Sequence, residues 1–128
     1  MPKFNNVLLI DDNEVNNLLH ERLIEISEFG KSIVVKQSAP EALDYLKSIA
    51  SDESLFPEII FLDIRMPIMN GFGFLDEYES MPDGIKSKAK VVMLSSTLDP
   101  EDNDRASKNP HVIKMLLKPL TMDQLSTI

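Results

Sequence analysis

The sequence predicts an α/β fold: one sheet of five parallel strands, order 2-1-3-4-5, with helices on both faces. Three observations predict it. Five short apolar runs recur along the 128 residues, each stops at a polar residue, and the segments between them carry helical spacing. Strands that are apolar on both sides belong in a sheet covered on both sides, and right-handed crossovers leave few ways to connect them.

The first run is Val7-Leu8-Leu9-Ile10, stopped by Asp11-Asp12. Behind it Val15, Leu18, Leu19, Leu23 and Ile26 recur at helical spacing among polar residues, the pattern of a surface helix with one apolar stripe. His20 lies on the Asn16 side of that helix, away from Leu19 and Leu23, and reads as a solvated or partly buried histidine. Ile33-Val34-Val35 is the second strand, short and β-branched. Ser38 followed by Glu41 forms a capping-box pattern with Pro40 in the first turn, and Ala39, Ala42, Leu43, Leu46 and Ile49 line one face of the next helix. Ile59-Ile60-Phe61-Leu62 is the third strand and ends at Asp63.

A loop rich in Met, Pro and Asn leads to Gly71, after which Phe72, Phe74, Leu75 and Tyr78 mark the third helix. Val91-Val92-Met93-Leu94 ends at Ser95-Ser96-Thr97. Asp99 through Lys108 predicts a weakly held helix, because Ala106 is its one apolar residue. Val112 through Leu117 ends at Lys118-Pro119, and Thr121 with Gln124 caps a last helix running to Ile128. The whole reads as one domain over residues 1–128, flavodoxin-like in class, with a final helix that is short or truncated. A truncated chain would have lost a few residues or a whole output domain.

Composition removes several classes of function. The formal net charge is -8, and the nearest approach to a basic stripe is Lys86, Lys88 and Lys90 in an expected loop. Nucleic-acid binding calls for clustered Lys and Arg, so it is not expected of this domain. There are no cysteines, which removes disulfide and thiolate chemistry and fits a cytoplasmic protein. No apolar run approaches the ~20 residues that span a bilayer, so no membrane role is expected.

Chemistry is expected at the carboxyl ends of the strands, where open parallel sheets bind ligands. Asp11 and Asp12 end the first strand, Asp63 the third, Ser95 the fourth and Lys118 the fifth. Converging carboxylates repel one another, and a hard cation with oxygen ligands and retained waters resolves the repulsion, which points to Mg2+ rather than zinc. Asp63 is then a nucleophile for a phosphoryl group, Lys118 a second positive charge, and Ser95 a hydrogen-bond donor to a phosphoryl oxygen. A phosphohydrolase would need a substrate pocket and an acid for its leaving group, and no cap domain is visible. A flavodoxin-like electron carrier would place its cofactor phosphate against Asp11-Asp12-Asn13-Glu14, where acidic side chains repel it.

These residues resemble the receiver-domain family of two-component response regulators, from Val7 to about Leu125. The most specific stretch is Phe61-Leu62-Asp63-Ile64-Arg65-Met66-Pro67-Ile68-Met69-Asn70-Gly71. The resemblance implies that Asp63 is the phosphorylated residue. It implies that Asp12 and Asp63 ligate Mg2+ directly, that Asp11 acts through water, and that the main-chain carbonyl of Arg65 is a third protein ligand. It implies a cis Lys118-Pro119 bond, a Ser95 switch hydroxyl, a tight helix start at Gly71 and a loop constraint at Pro67. Met115 stands where the family's switch carries an aromatic, so a thioether fills that space here. Arg65 stands where the family tunes phosphate lifetime. The implied phosphodonor is a sensor histidine kinase or a histidine phosphotransfer protein, and the output is a change in binding to a downstream protein. The domain would be no enzyme beyond promoting its own phosphorylation and dephosphorylation. The alternatives are a receiver fragment of a longer regulator with a DNA-binding or enzymatic output domain, and a phosphorelay intermediate.

Overall fold

A computed structural model describes residues 3–97 and 99–128 of the chain. The strands are β1 (Phe4–Ile10), β2 (Gly30–Lys36), β3 (Ile59–Asp63), β4 (Lys90–Ser95) and β5 (Val112–Leu117). The helices are α1 (Glu14–Ile26), α2 (Ala39–Ser48), α3 (Gly71–Tyr78), α4 (Asp83–Lys88), α5 (Pro100–Ser107) and α6 (Met122–Ser126). All strand pairs are parallel and the order is β2-β1-β3-β4-β5, the topology the sequence predicts.

Alternation along the central strands divides the core into two layers. Leu8, Ile10, Ile60, Leu62, Val91 and Met93 face α2, α3 and α4, with Ala106 of α5 in the same layer. Val7, Leu9, Ile59, Phe61, Val92 and Leu94 face Ile24 of α1 and Leu125 of α6. Helices thus cover both faces of the central strands, which is why β3 and the apolar stretches of β1 and β4 are buried on both sides, while the edge strands β2 and β5 stay partly exposed.

The helix starts follow the side chains at their first turns. Asn13, Asn70 and Asp99 accept backbone N–H groups at the starts of α1, α3 and α5. Thr121 and Gln124 form a full reciprocal capping box on α6. At α2 the box is only half made: Ser38 accepts from Glu41 N, but the Glu41 carboxylate reaches past Ser38 to Gln37 N at 3.1 Å.

Three expectations are corrected. The stripe on α1 does not face the core: Val15, Leu18, Leu19 and Ile26 are exposed, and the inward residues are Asn17, His20 and Ile24. His20 is 2% exposed, not solvated. Further along, Lys86 and Lys88 lie in α4 rather than in a loop, and Lys90 opens β4. α4 escaped the sequence pattern because it has six residues and a single buried anchor, Ile85.

Gly71 joins the fold to the site. A Cβ there would stand 2.7 Å from the Asp63 carbonyl oxygen and 3.0 Å from Ile64 Cα, both backbone atoms, so α3 starts against the end of β3 only because Gly71 has no side chain. Its φ is not positive, so the requirement is space rather than backbone freedom. Gly71→Ala should lower stability by about 2 kcal/mol through overpacking, read as a lower urea midpoint with an unchanged slope. An unchanged midpoint would show that β3 and α3 can separate freely.

Candidate functional site: a carboxylate cluster gripped by one lysine

The carboxyl ends of β1 and β3 place Asp11, Asp12 and Asp63 together, with one oxygen from each lying within 4.8 Å of the others. Asp11 and Asp63 are each 2% exposed, whereas Asp12 faces solvent. Lys118, at the end of β5, spans the pair. Its Nζ lies 3.2 Å from Asp11 Oδ2 and 3.0 Å from Asp63 Oδ1. The Lys118-Pro119 bond is cis. The main chain of this turn is tied to the neighbouring strand by Lys118 N donating to Ser95 O at 2.7 Å.

Burial and charge pull the site's titrations apart. Asp63 is pushed up to about 6, first by burial and then by the charge of Asp11, against the hydrogen bond from Lys118. Burial pulls Lys118 down, but its hydrogen bond to Asp63 and the charge of Asp11 outweigh that and raise it overall. The ammonium therefore stays charged at neutral pH, and the Asp63 carboxylate is ionised but costly to hold so.

The other sequence-flagged residues surround this cluster. Ser95 is buried, with its hydroxyl donating to Thr97 O and accepting from Thr97 N at 3.2 Å, within its own loop. The Arg65 N–H points toward Asp63 Oδ1 at 3.4 Å, while its side chain turns outward to Asp102 of α5 at 2.6 Å. Met115 is half-buried and, with Asp99, Pro100 and Asn103, lines an open groove of about 310 Å³ against α5. Pro67 precedes Ile68, which is fully exposed with a φ of 71°.

The family model for the response regulator receiver domain matches residues 7–128. The chain belongs to that family. A two-component response regulator from Cytophaga hutchinsonii superposes with a TM-score of 0.89 at 32% identity, covering 96% of this chain and 92% of that one. A response regulator receiver protein from Dyadobacter fermentans gives 0.84 at 32% identity, covering 95% and 92%. Among curated proteins, the probable methanogenesis regulatory protein FilR2 of Methanothrix harundinacea is 31% identical over 93% of this chain and 75% of its own length. The chemotaxis protein CheY of Halobacterium salinarum is 29% identical over 95% and 94%.

As a receiver domain the chain confines its chemistry to its own phosphoryl transfer and loss, and its acidic cluster matches the Mg2+ site of the family. The fit rests on donor chemistry. Hard carboxylate oxygens converge, no cysteine exists in the sequence, and neither histidine belongs to the cluster. No helix among the described residues is long and apolar enough to cross a membrane.

Sequence reasoning took His20 for a solvated or partly buried residue and gave neither it nor Asn17 a place in the site, yet both meet the site's backbone. Asn17 Nδ2 donates to Asp11 O at 2.8 Å, and His20 Nε2 accepts from Leu120 N at 3.3 Å. The faint signal was their presence among the apolar residues of α1. Burial lowers the His20 pKa; the charge of Asp11 opposes this and that of Lys118 adds to it.

The raised Asp63 carboxyl gives a stability prediction. Between about pH 4 and 6 the folded chain holds a proton that the unfolded chain releases, so this group's contribution falls as pH rises and is gone above about 6. In Mg2+-free buffer at pH 7.5, Asp63→Asn should therefore melt above the wild type, by about 1–2 kcal/mol or roughly 3–6 °C. The gap should shrink toward pH 4. A variant that melts lower at pH 7.5 would show that the Lys118 contact outweighs burial.

Proposed function

We propose that Asp63 accepts a phosphoryl group from a phosphohistidine donor and that the acyl phosphate switches the binding of a downstream protein. The observation that carries this reading is Lys118 Nζ held between Asp11 and Asp63 at the carboxyl edge of the sheet. Nothing in sheet packing calls for two buried carboxylates and an ammonium there. A site that must receive an anionic group onto an anionic nucleophile calls for all three.

Asp12 and Asp63, with the Arg65 carbonyl, would hold Mg2+, and Asp11 would act through water. The bound ion supplies positive charge that offsets repulsion between carboxylate and phosphoryl group. An Asp63 carboxylate oxygen attacks phosphorus as the bond to the donor's histidine nitrogen breaks, and that nitrogen keeps the electron pair. Lys118 neutralises one phosphoryl oxygen. The Ser95 hydroxyl, now bonded to Thr97 O, turns to donate to another. Attack of water on phosphorus then restores the carboxylate and releases inorganic phosphate. Residues 1–128 work as one receiver unit in this scheme, with Met115 filling the space vacated when Ser95 moves and Gly71, Pro67 and Pro119 holding the loops.

For the donor, the exposed apolar residues Val15, Leu18 and Leu19 on α1 offer a docking face beside the site. An apolar patch of this kind marks an interaction surface, and a histidine kinase or phosphotransfer protein presents its phosphohistidine on a helix that could pack there.

Intact mass after treatment with acetyl phosphate tests the reading. The wild type should gain one phosphoryl group (~80 Da) only with Mg2+ present, and Asp63→Asn should gain none. Lys118→Met should slow labelling by roughly 100-fold, the scale of losing one oriented charge in such a site. The double variant Leu18→Asp, Leu19→Asp should label normally with acetyl phosphate but poorly from a phosphohistidine protein. Folded wild type that takes no phosphoryl group from either donor would end the proposal.

A further inference from the structure

The inward face of α1 carries two polar side chains, Asn17 and His20, where an apolar surface would be expected, and each holds the backbone of a different site-bearing turn. Asn17 grips the Asp11 carbonyl. His20 grips the Leu120 N–H, two residues beyond Lys118 and one beyond the cis proline. We propose that His20 is a positioning residue for phosphoryl transfer: its unprotonated Nε2 fixes the Lys118-Pro119-Leu120 turn and so aims Lys118 Nζ between Asp11 and Asp63. This rests on the phosphoacceptor reading above.

The argument starts from what burial costs. An imidazole taken out of water loses hydration, and a branched aliphatic side chain would fill the same space without that loss. His20 is nevertheless 2% exposed. Its ring returns one specific thing: an acceptor for a buried N–H that would otherwise be orphaned, since Leu120 is itself 5% exposed. Accepting from an N–H requires a neutral ring with its proton on Nδ1.

The turn has a second tie, Lys118 N to Ser95 O. That bond holds the main chain at the start of the turn, and His20 holds it at the end. Lys118 has a long flexible side chain, and its Nζ meets two carboxylates at 3.0 and 3.2 Å. With one end of the turn loose, the same side chain can reach either carboxylate singly or point to solvent. Misplacement by about 1 Å far from the chemistry can cost up to roughly 100-fold in rate. Sharing α1 as a common support also fixes the two turns relative to each other, because Asn17 and His20 stand one turn apart on the same face of the helix.

The test separates positioning from packing by restoring the acceptor without the ring. His20→Leu keeps bulk but has no acceptor. His20→Gln places an amide oxygen near where Nε2 stood. Acetyl phosphate labelling at saturating Mg2+ gives the rate, urea unfolding gives stability, and hydrogen exchange of the Leu120 amide reports the bond itself. His20→Leu should remain folded, label about 10-fold more slowly and exchange Leu120 faster. His20→Gln should return both to within about 2-fold of wild type, as restored hydrogen bonding requires. Equal losses in both variants, or a His20→Leu rate matching the wild type, would overturn the proposal. If the wild type itself takes no phosphoryl group, the phosphoacceptor reading falls first and this one with it. A labelled wild type with an indifferent His20→Leu overturns the positioning role alone.

Discussion

Two buried carboxylates facing each other across neighbouring strands would push apart without a positive charge between them, and Lys118 is the charge the chain itself supplies. At contacts near 3 Å each attraction is worth several kcal/mol gross in a medium of intermediate polarity, but desolvating three ions takes much of it back. The raised Asp63 carboxyl is the residue of that contest: the lysine reduces the repulsion without abolishing it. The arrangement is stable enough to fold and still in need of more positive charge. A site in that condition attracts a divalent cation, and a divalent cation is what a carboxylate needs before it can meet a phosphoryl group.

That condition depends on packing far from the ions. Asp11 and Asp63 converge because β1 and β3 are hydrogen-bonded neighbours, with Ile10 opposite Leu62. Lys118 arrives from β5, two strands away from β3, and only the length of its side chain and the set of its turn bring it across. The approach of α3 to the end of β3 is equally close, since Gly71 leaves no room for a methyl group. Sheet order, a missing Cβ and a buried imidazole together determine where four charged groups stand.

The sequence made the layered fold and the charged centre legible because both follow from local rules. Apolar runs ending in Asp, Ser or Lys announce strands with polar tips, and parallel order brings the tips together. The orientation of α1 was not legible. Helical periodicity shows that a stripe exists, not which way it turns, and the stripe of Val15, Leu18 and Leu19 turns outward. The inward face is Asn17, His20 and Ile24, of which only Ile24 looks like core. A helix that exposes its leucines forgoes roughly 1.5–3 kcal/mol for each one left unburied, so the inversion needs a use on both faces. Inside, hydrogen bonds hold two turns; outside, the exposed apolar residues are what the proposed docking of a phosphodonor would cover. α4 was illegible for a plainer reason, having too few residues to show a period.

A lightly anchored helix, α5, follows in the chain directly after the Ser95 loop. α5 buries only Ala106, and its first turn is joined by Asp102 to the outward-turned side chain of Arg65, whose backbone N–H points at Asp63. Arg105, itself exposed, lies over the ring of the buried Phe72 at 4.3 Å. Elements held by few buried contacts open at low free energy, and such elements respond to small changes in charge. A phosphoryl group on Asp63 would set its oxygens against the attraction that Asp102 exerts on the Arg65 guanidinium, and the same group would draw the Ser95 hydroxyl away from Thr97. Both changes act on the segment leading into α5. Met115 packs beneath that helix with a thioether that can adopt several shapes at similar energy. An aromatic ring there would favour two discrete positions. An unbranched thioether reshapes more easily, so Met115 would offer little resistance to a displacement of α5.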